Sequence, residues 1–108
     1  PLVAIQSINV AEARHLLEQG QVTLIDIRSS EEYAAGHIPG SKHIHLGYLE
    51  QRLQDIPTEQ PVIIQCQGGT RSPIGASLLE AHHYPQVLNL VGGFASWQKA
   101  GYSVVTGV

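Results

Sequence analysis

The sequence has no methionine, a single cysteine, and no apolar run approaching the ~20 residues needed to span a bilayer. The lone Cys66 rules out an internal disulfide framework and a four-thiolate zinc site. One cysteine also fits a reducing, cytoplasmic compartment. No signal peptide opens the chain. Basic residues are few as well: six Lys and Arg against nine Asp and Glu leave a net charge of −3. The basic stripe of a nucleic-acid binder is therefore missing. Internal repeats, low-complexity tracts and Ser/Gly-rich linkers are also absent. The start at Pro1, with no methionine anywhere, points to a processed chain or a piece cut from a longer, multidomain protein.

What is present is enough for one domain, residues 1–108. With 43% hydrophobic and 14% charged residues, a chain of this size buries roughly 60–70% of its extended surface and needs no staple. The charge is unevenly placed. Residues 1–59 hold eight of the nine carboxylates, and between Gln60 and Leu79 there is none. The second half thus leaves room for an anion.

Short β-branched runs alternate with helical stretches, the pattern of a mostly parallel sheet covered by helices on both faces. Ile5 to Ile8 reads as a first strand. Asn9 and Glu12 form a capping box for a helix that buries Val10, Ala13, Leu16 and Leu17 and stops at Gly20. Val22 to Ile27 is a strand covered on both faces. Ser29 and Glu32 repeat the capping signature before a short helix that Gly36 ends. After the turn His37-Ile38-Pro39-Gly40 come a strand from His43 to Leu46 and a helical turn from Tyr48 to Leu53. Val62 to Gln65 is the most apolar strand. Ser72 is expected to cap a helix beginning at Pro73, with Ile74, Leu78 and Leu79 facing inward. Val87 to Val91 completes five strands, and Phe94 to Lys99 is the last helix.

The chemistry concentrates in Ile64-Gln65-Cys66-Gln67-Gly68-Gly69-Thr70-Arg71-Ser72-Pro73. Ligands of open α/β sheets bind beyond the carboxyl ends of the strands, where this loop lies. Its two glycines let successive N–H groups turn inward as an anion-binding nest, and the following helix adds its positive end. A cysteine sulfur in that bowl has its thiolate stabilised, and the thiolate is the nucleophile. Cys66 is the candidate catalytic residue, and Gln67, Gly68, Gly69, Thr70, Arg71 and Ser72 are the candidate substrate cradle. Arg71 suits two tasks, binding a donor's anionic end or bracing the loop against carbonyls and a carboxylate. With no second cysteine, a sulfur carried on Cys66 cannot be resolved within the chain and must leave to an external acceptor.

The loop resembles the C-x-x-G-x-R pattern of single-domain rhodaneses, a sulfurtransferase family. Leu24-Ile25-Asp26-Ile27-Arg28, Tyr33 with Gly36-His37-Ile38-Pro39-Gly40-Ser41, and Val91-Gly92-Gly93-Phe94 with Trp97 and Ala100-Gly101 match in order and spacing. The resemblance implies a five-stranded parallel sheet flanked by helices, and a cysteine that takes a sulfane sulfur from a donor and passes it to a thiophilic acceptor as a persulfide. It also implies a domain that is found fused to persulfide dioxygenases and other redox enzymes. Ser41, Pro73 and Tyr102-Ser103 depart from the usual pattern, away from the thiol. Because Gln67 and Thr70 are neutral, the cup suits a glutathione or protein persulfide at least as well as thiosulfate. No cofactor, metal, nucleic acid or membrane is implied. The expected partners are the sulfur donor, a thiol or cyanide acceptor, and a fused or partnering redox enzyme.

Other residues read as framework. Asp26 and Arg28 form an ion pair that positions loops, His37 belongs to a turn, and Phe94 with Trp97 packs in the core. His43, His45, His82 and His83 lack a third ligand for a metal. Gly75 costs a helix about 1 kcal/mol against alanine, which points to close packing there. Two rivals stand beside the sulfurtransferase reading. One is a phosphatase or arsenate reductase, whose loops place the arginine one position further from the cysteine than Arg71 stands from Cys66. The other is a sulfur-carrying or regulatory module of a larger persulfide-processing enzyme.

Overall fold

Capping chemistry starts the first two helices where the sequence places them. The computed structural model describes residues 5–107. After strand β1 (Gln6–Ile8), helix α1 (Val10–Gln19) opens on Asn9, whose side chain accepts from Glu12 N at 2.8 Å while Asn9 N donates to Glu12 Oε1 at 2.9 Å. Ser29 and Glu32 repeat this reciprocal pair at 3.2 and 2.9 Å before α2 (Ser30–Ala35). Each box satisfies N–H groups that a helix start otherwise leaves unpaired. Gly20 closes α1 in the left-handed region, at φ 70°.

The remaining elements are β2 (Thr23–Asp26), β3 (Lys42–His43), β4 (Val62–Gln65), α3 (Ser72–Ala81), β5 (Val87–Leu90) and α4 (Gly93–Lys99), with two 3₁₀ segments over Leu46–Tyr48 and Glu50–Asp55. The five strands form one sheet in the order β1-β5-β4-β2-β3, and every pairing is parallel. Strand β4 therefore has a neighbour on each side, and Cys66 follows directly from its carboxyl end.

Alternate residues of the central strands feed two cores. Val62 and Ile64 of β4 join Ile25, Ala76, Leu79 and Tyr84 on one face. Ile63 joins Leu24, Leu88, Phe94 and Trp97 on the other. Coverage of both faces is why Val62-Ile63-Ile64 runs apolar without alternation. Gly75 belongs to the same logic: a Cβ there would meet the Ile64 side chain at 3.3 Å, so its absence lets α3 lie close on the sheet.

Four details differ from the sequence reading. Ile74 is 60% exposed instead of facing inward. The buried positions of α3 are Ser72, Gly75, Ala76 and Leu79, a 3–4–7 spacing that puts Ile74 on the opposite side. Small residues set that face, because only they allow the close approach. Ser72 is the first helical residue, with Arg71 at the cap position and no side-chain capping bond. The β3 strand is two residues long, not the expected His43 to Leu46. Its pairing fades into single bonds, Ile44 N to Asp26 O and Leu46 N to Ile27 O, as His45 turns the chain and caps Gly47 N through Nδ1 at 3.0 Å. Strand β5 stops at Leu90, and Val91 is 53% exposed.

The C-terminal segment is tied back by an antiparallel bridge, His37 N to Val105 O at 2.8 Å and Val105 N to His37 O at 3.0 Å. Among the described residues no helix is long and apolar enough to cross a membrane.

Candidate active site

Cys66 is fully buried, and its sulfur is met by three backbone donors of its own loop. Gly69 N lies 3.1 Å from Sγ, Arg71 N 3.3 Å, and Ser72 N 3.3 Å. The last donor belongs to the first turn of α3, so the helix end points at the sulfur as well. Burial pushes the thiol pKa up, but the Ser72 hydroxyl and the three N–H groups pull harder, and the net shift is below the ordinary 9.0. The Ser72 hydroxyl is buried and makes no well-aligned hydrogen bond; it serves the sulfur as a nearby O–H dipole.

The loop is clamped at its start by α4. Phe94 N donates to Cys66 O at 2.8 Å and Ala95 N to Gln67 O at 2.9 Å. This approach requires Gly93, at φ 57°, since a Cβ there would overlap the Cys66 carbonyl oxygen. Gln67 is also fixed through its side chain, whose Oε1 accepts from Arg28 Nη1 at 2.9 Å. Gly68 and Thr70 are exposed and form the rim.

Arg28, itself 1% exposed, is the hub behind the loop. Its guanidinium pairs with Asp26 at 2.8 Å, donates to Gly36 O at 2.7 Å and lies 4.4 Å from the centre of the Phe94 ring. The Asp26–Arg28 pair thus has the framework role expected of it, and it reaches the site through Gln67. His37 sits in the turn as expected, with Nδ1 on Tyr33 O at 2.8 Å and its ring stacked on Tyr33 at 3.7 Å. Phe94 and Trp97 are core residues. No group of three or more His, Cys, Asp or Glu among the described residues could hold a metal ion.

Arg71 makes the carboxylate contact that its bracing alternative calls for. Its guanidinium grips the Glu32 carboxylate with two bonds of 2.9 Å, Nη1 to Oε1 and Nη2 to Oε2. Arg71, with help from the Ser29 N–H, holds the Glu32 carboxyl down at about 2 against burial, so the pair stays ionised at any ordinary pH. Sequence reasoning gave Glu32 only a helix cap and missed this second partner. The signal was available in part: with no carboxylate from Gln60 to Leu79 and eight of the nine in residues 1–59, a bracing partner for Arg71 was to be sought first in the first half of the chain. Beside the loop lies a groove of about 380 Å³ lined by Arg28, Glu32, Gly36, Gln67, Phe94 and Gln98.

Comparison with known proteins agrees with this geometry. The family model described as "Rhodanese-like domain" matches residues 9–100. A thiosulfate sulfurtransferase, GlpE, of Pseudoalteromonas translucida is 34% identical over 98 residues, covering 91% of this chain and 93% of its own. A rhodanese-related protein of Thermoplasma volcanium superposes with a TM-score of 0.85 at 26% identity, over 93% of this chain and 97% of that one. The Bacillus anthracis protein CoADR-RHD gives a TM-score of 0.81 at 33% identity over 86% of this chain, which spans only 16% of that protein. A parallel five-stranded sheet, a cysteine cradled at the end of its central strand and a family match over most of the length together make this chain a member of the rhodanese-like domain family.

Proposed function

We propose that the chain is a sulfurtransferase that moves a sulfane sulfur from thiosulfate or a low-molecular-weight persulfide to a thiol or cyanide, by way of a persulfide on Cys66. The observation that carries this reading is the convergence of the Gly69, Arg71 and Ser72 N–H groups on one cysteine sulfur. The Cys66 thiolate attacks the donor's outer sulfur, and the S–S bond of the donor breaks. The leaving group, sulfite from thiosulfate or a thiolate from a persulfide, departs with the bonding electron pair. Cys66 then carries one extra sulfur, whose negative charge is offset by the N–H groups of the cradle. In the second half an acceptor thiolate or cyanide attacks that outer sulfur, and Cys66 leaves as the thiolate it was at the start. The sequence is ping-pong, because donor product departs before acceptor attacks.

A phosphatase fits less well. Such an enzyme turns its loop arginine into the cradle to hold a tetrahedral oxyanion, whereas the Arg71 guanidinium is held bidentate by the Glu32 carboxylate. A sulfur-carrying role inside a longer protein is a second reading, favoured by the small share that this chain spans of the Bacillus anthracis protein. The test is intact mass after incubation with thiosulfate or glutathione persulfide. The expected result is a gain of one sulfur atom that cyanide removes. Cys66→Ser is expected to show no gain while keeping the wild-type circular dichroism spectrum. Sulfur loading by that variant would remove Cys66 from the mechanism, and loading without multiple turnover would favour the carrier.

A further inference from the structure

Every arginine that meets the sulfur loop is already spoken for by a carboxylate. Arg28 is buried on Asp26, and Arg71 is held bidentate by Glu32. The other basic side chains lie on other elements: Arg14 pairs with Glu18 on α1, Arg52 with Asp55, Lys42 donates to Asp55 O, and Lys99 ends α4 at the turn opposite its contact with the loop. The groove beside the loop offers the amides of Gln67 and Gln98 and the apolar Phe94 ring. A donor entering the cradle therefore meets N–H groups and amides, but no side-chain cation with a free charge among the described residues.

We infer that Glu32 is a specificity-determining residue: by holding the Arg71 guanidinium it withdraws the loop's only formal charge from the donor, and so disfavours thiosulfate, which brings two negative charges into the cradle, relative to a persulfide, which brings one there. The inference rests on the sulfurtransferase reading above. Both groups of the pair are about a third exposed, Arg71 at 36% and Glu32 at 32% of the side chain, so the guanidinium needs no core rearrangement to turn toward the mouth of the cradle once released. The carboxylate is the lock, and the lock does not open with pH, since its pKa lies near 2.

The substitution Glu32→Gln isolates this role. An amide oxygen still accepts from Ser29 N, so the capping box and the start of α2 survive. Its NH₂ group, however, faces the Nη2 donor of Arg71, and two donors cannot bond, so the bidentate ionic grip falls to one uncharged bond from Nη1 to the amide oxygen. Steady-state kinetics of this chain with thiosulfate and with glutathione persulfide, cyanide being the acceptor in both, read the effect. The expected result is a rise of about five- to tenfold in the ratio of kcat/KM for thiosulfate to that for the persulfide, as a guanidinium no longer neutralised by a carboxylate contributes a charge-assisted bond. The rise appears mainly in the thiosulfate KM and shrinks with added salt. The double variant E32Q/R71Q returns the ratio to the wild-type value, a readout that mere loosening of the loop would not produce. An unchanged ratio in E32Q, or an equal fall for both donors, overturns the inference while leaving the sulfurtransferase reading intact. A wild-type chain that accepts sulfur from neither donor overturns both.

Discussion

At the scale of single residues, the chemistry is a contest between burial and hydrogen bonding at one sulfur. Cys66 is removed from water, which alone would keep it a thiol, yet three N–H groups at 3.1–3.3 Å and the Ser72 hydroxyl favour the charged form. The direction of the net shift has a measurable sign. Because the pKa is lowered, the thiolate persists to lower pH than in a free cysteine, and the iodoacetamide alkylation rate plotted against pH should have its midpoint below 9.0. Ser72→Ala should move that midpoint upward, since it deletes an O–H dipole and leaves the backbone donor in place. A wild-type midpoint at or above 9.0 would mean that burial prevails and the cradle does not activate the thiol. Cys66 and its six followers were visible in the sequence because glycines and a helix start after an apolar strand have few other uses. Which of those six N–H groups reach the sulfur was not visible, since it depends on loop torsions that residue types alone leave open.

At the scale of elements, the loop is held from three sides: α3 runs out of it, α4 clamps its first carbonyls, and α2 reaches across through Glu32. The tightest of these contacts is at Gly93. A methyl group there would collide with the Cys66 carbonyl oxygen and would also be forced to a φ of 57°. Gly93→Ala should therefore destabilise the fold by about 2–4 kcal/mol, combining left-handed strain with overpacking. Urea denaturation checks this, and a loss under about 1 kcal/mol would show that α4 can slide away from the loop. The element order, both capping boxes and the parallel sheet were legible from the alternation of apolar runs and helix signals. The inward face of α3 was not. Ile74 looked like the core residue, but the sheet accepts the small Gly75 and Ala76 instead, and closeness of approach is decided by the partner surface, Ile64 and Ile27, rather than by hydropathy. The β3 strand was overextended for a related reason, since two edge residues pair fully and the next bonds are single.

At the scale of the whole molecule, the topology joins the two ends of the chain. Strand β1 pairs only with β5, in register Gln6 with Leu88 and Ile8 with Leu90. That contact closes a loop spanning most of the sequence, so its entropy cost falls late in folding. Ile8→Ala, which removes a buried side chain from β1, should then speed unfolding while leaving the refolding rate nearly unchanged. Stopped-flow chevrons measure both limbs, and a refolding rate that fell in proportion to the lost stability would place β1 in the folding nucleus. Charge followed the same large-scale logic: the carboxylate-free stretch around Cys66 was apparent in the sequence, while the ion pair that neutralises Arg71 crosses from the acidic half and needed the fold to bring it there.

The clamp from Phe94 and Ala95 onto the Cys66 and Gln67 carbonyls also has a meaning in time. During synthesis the cysteine leaves the ribosome well before the segment that fixes its loop, and a nascent thiol without its cradle behaves as an ordinary free cysteine. An arrested or truncated product lacking α4 would thus carry the nucleophile and its donors without the clamp that fixes their loop.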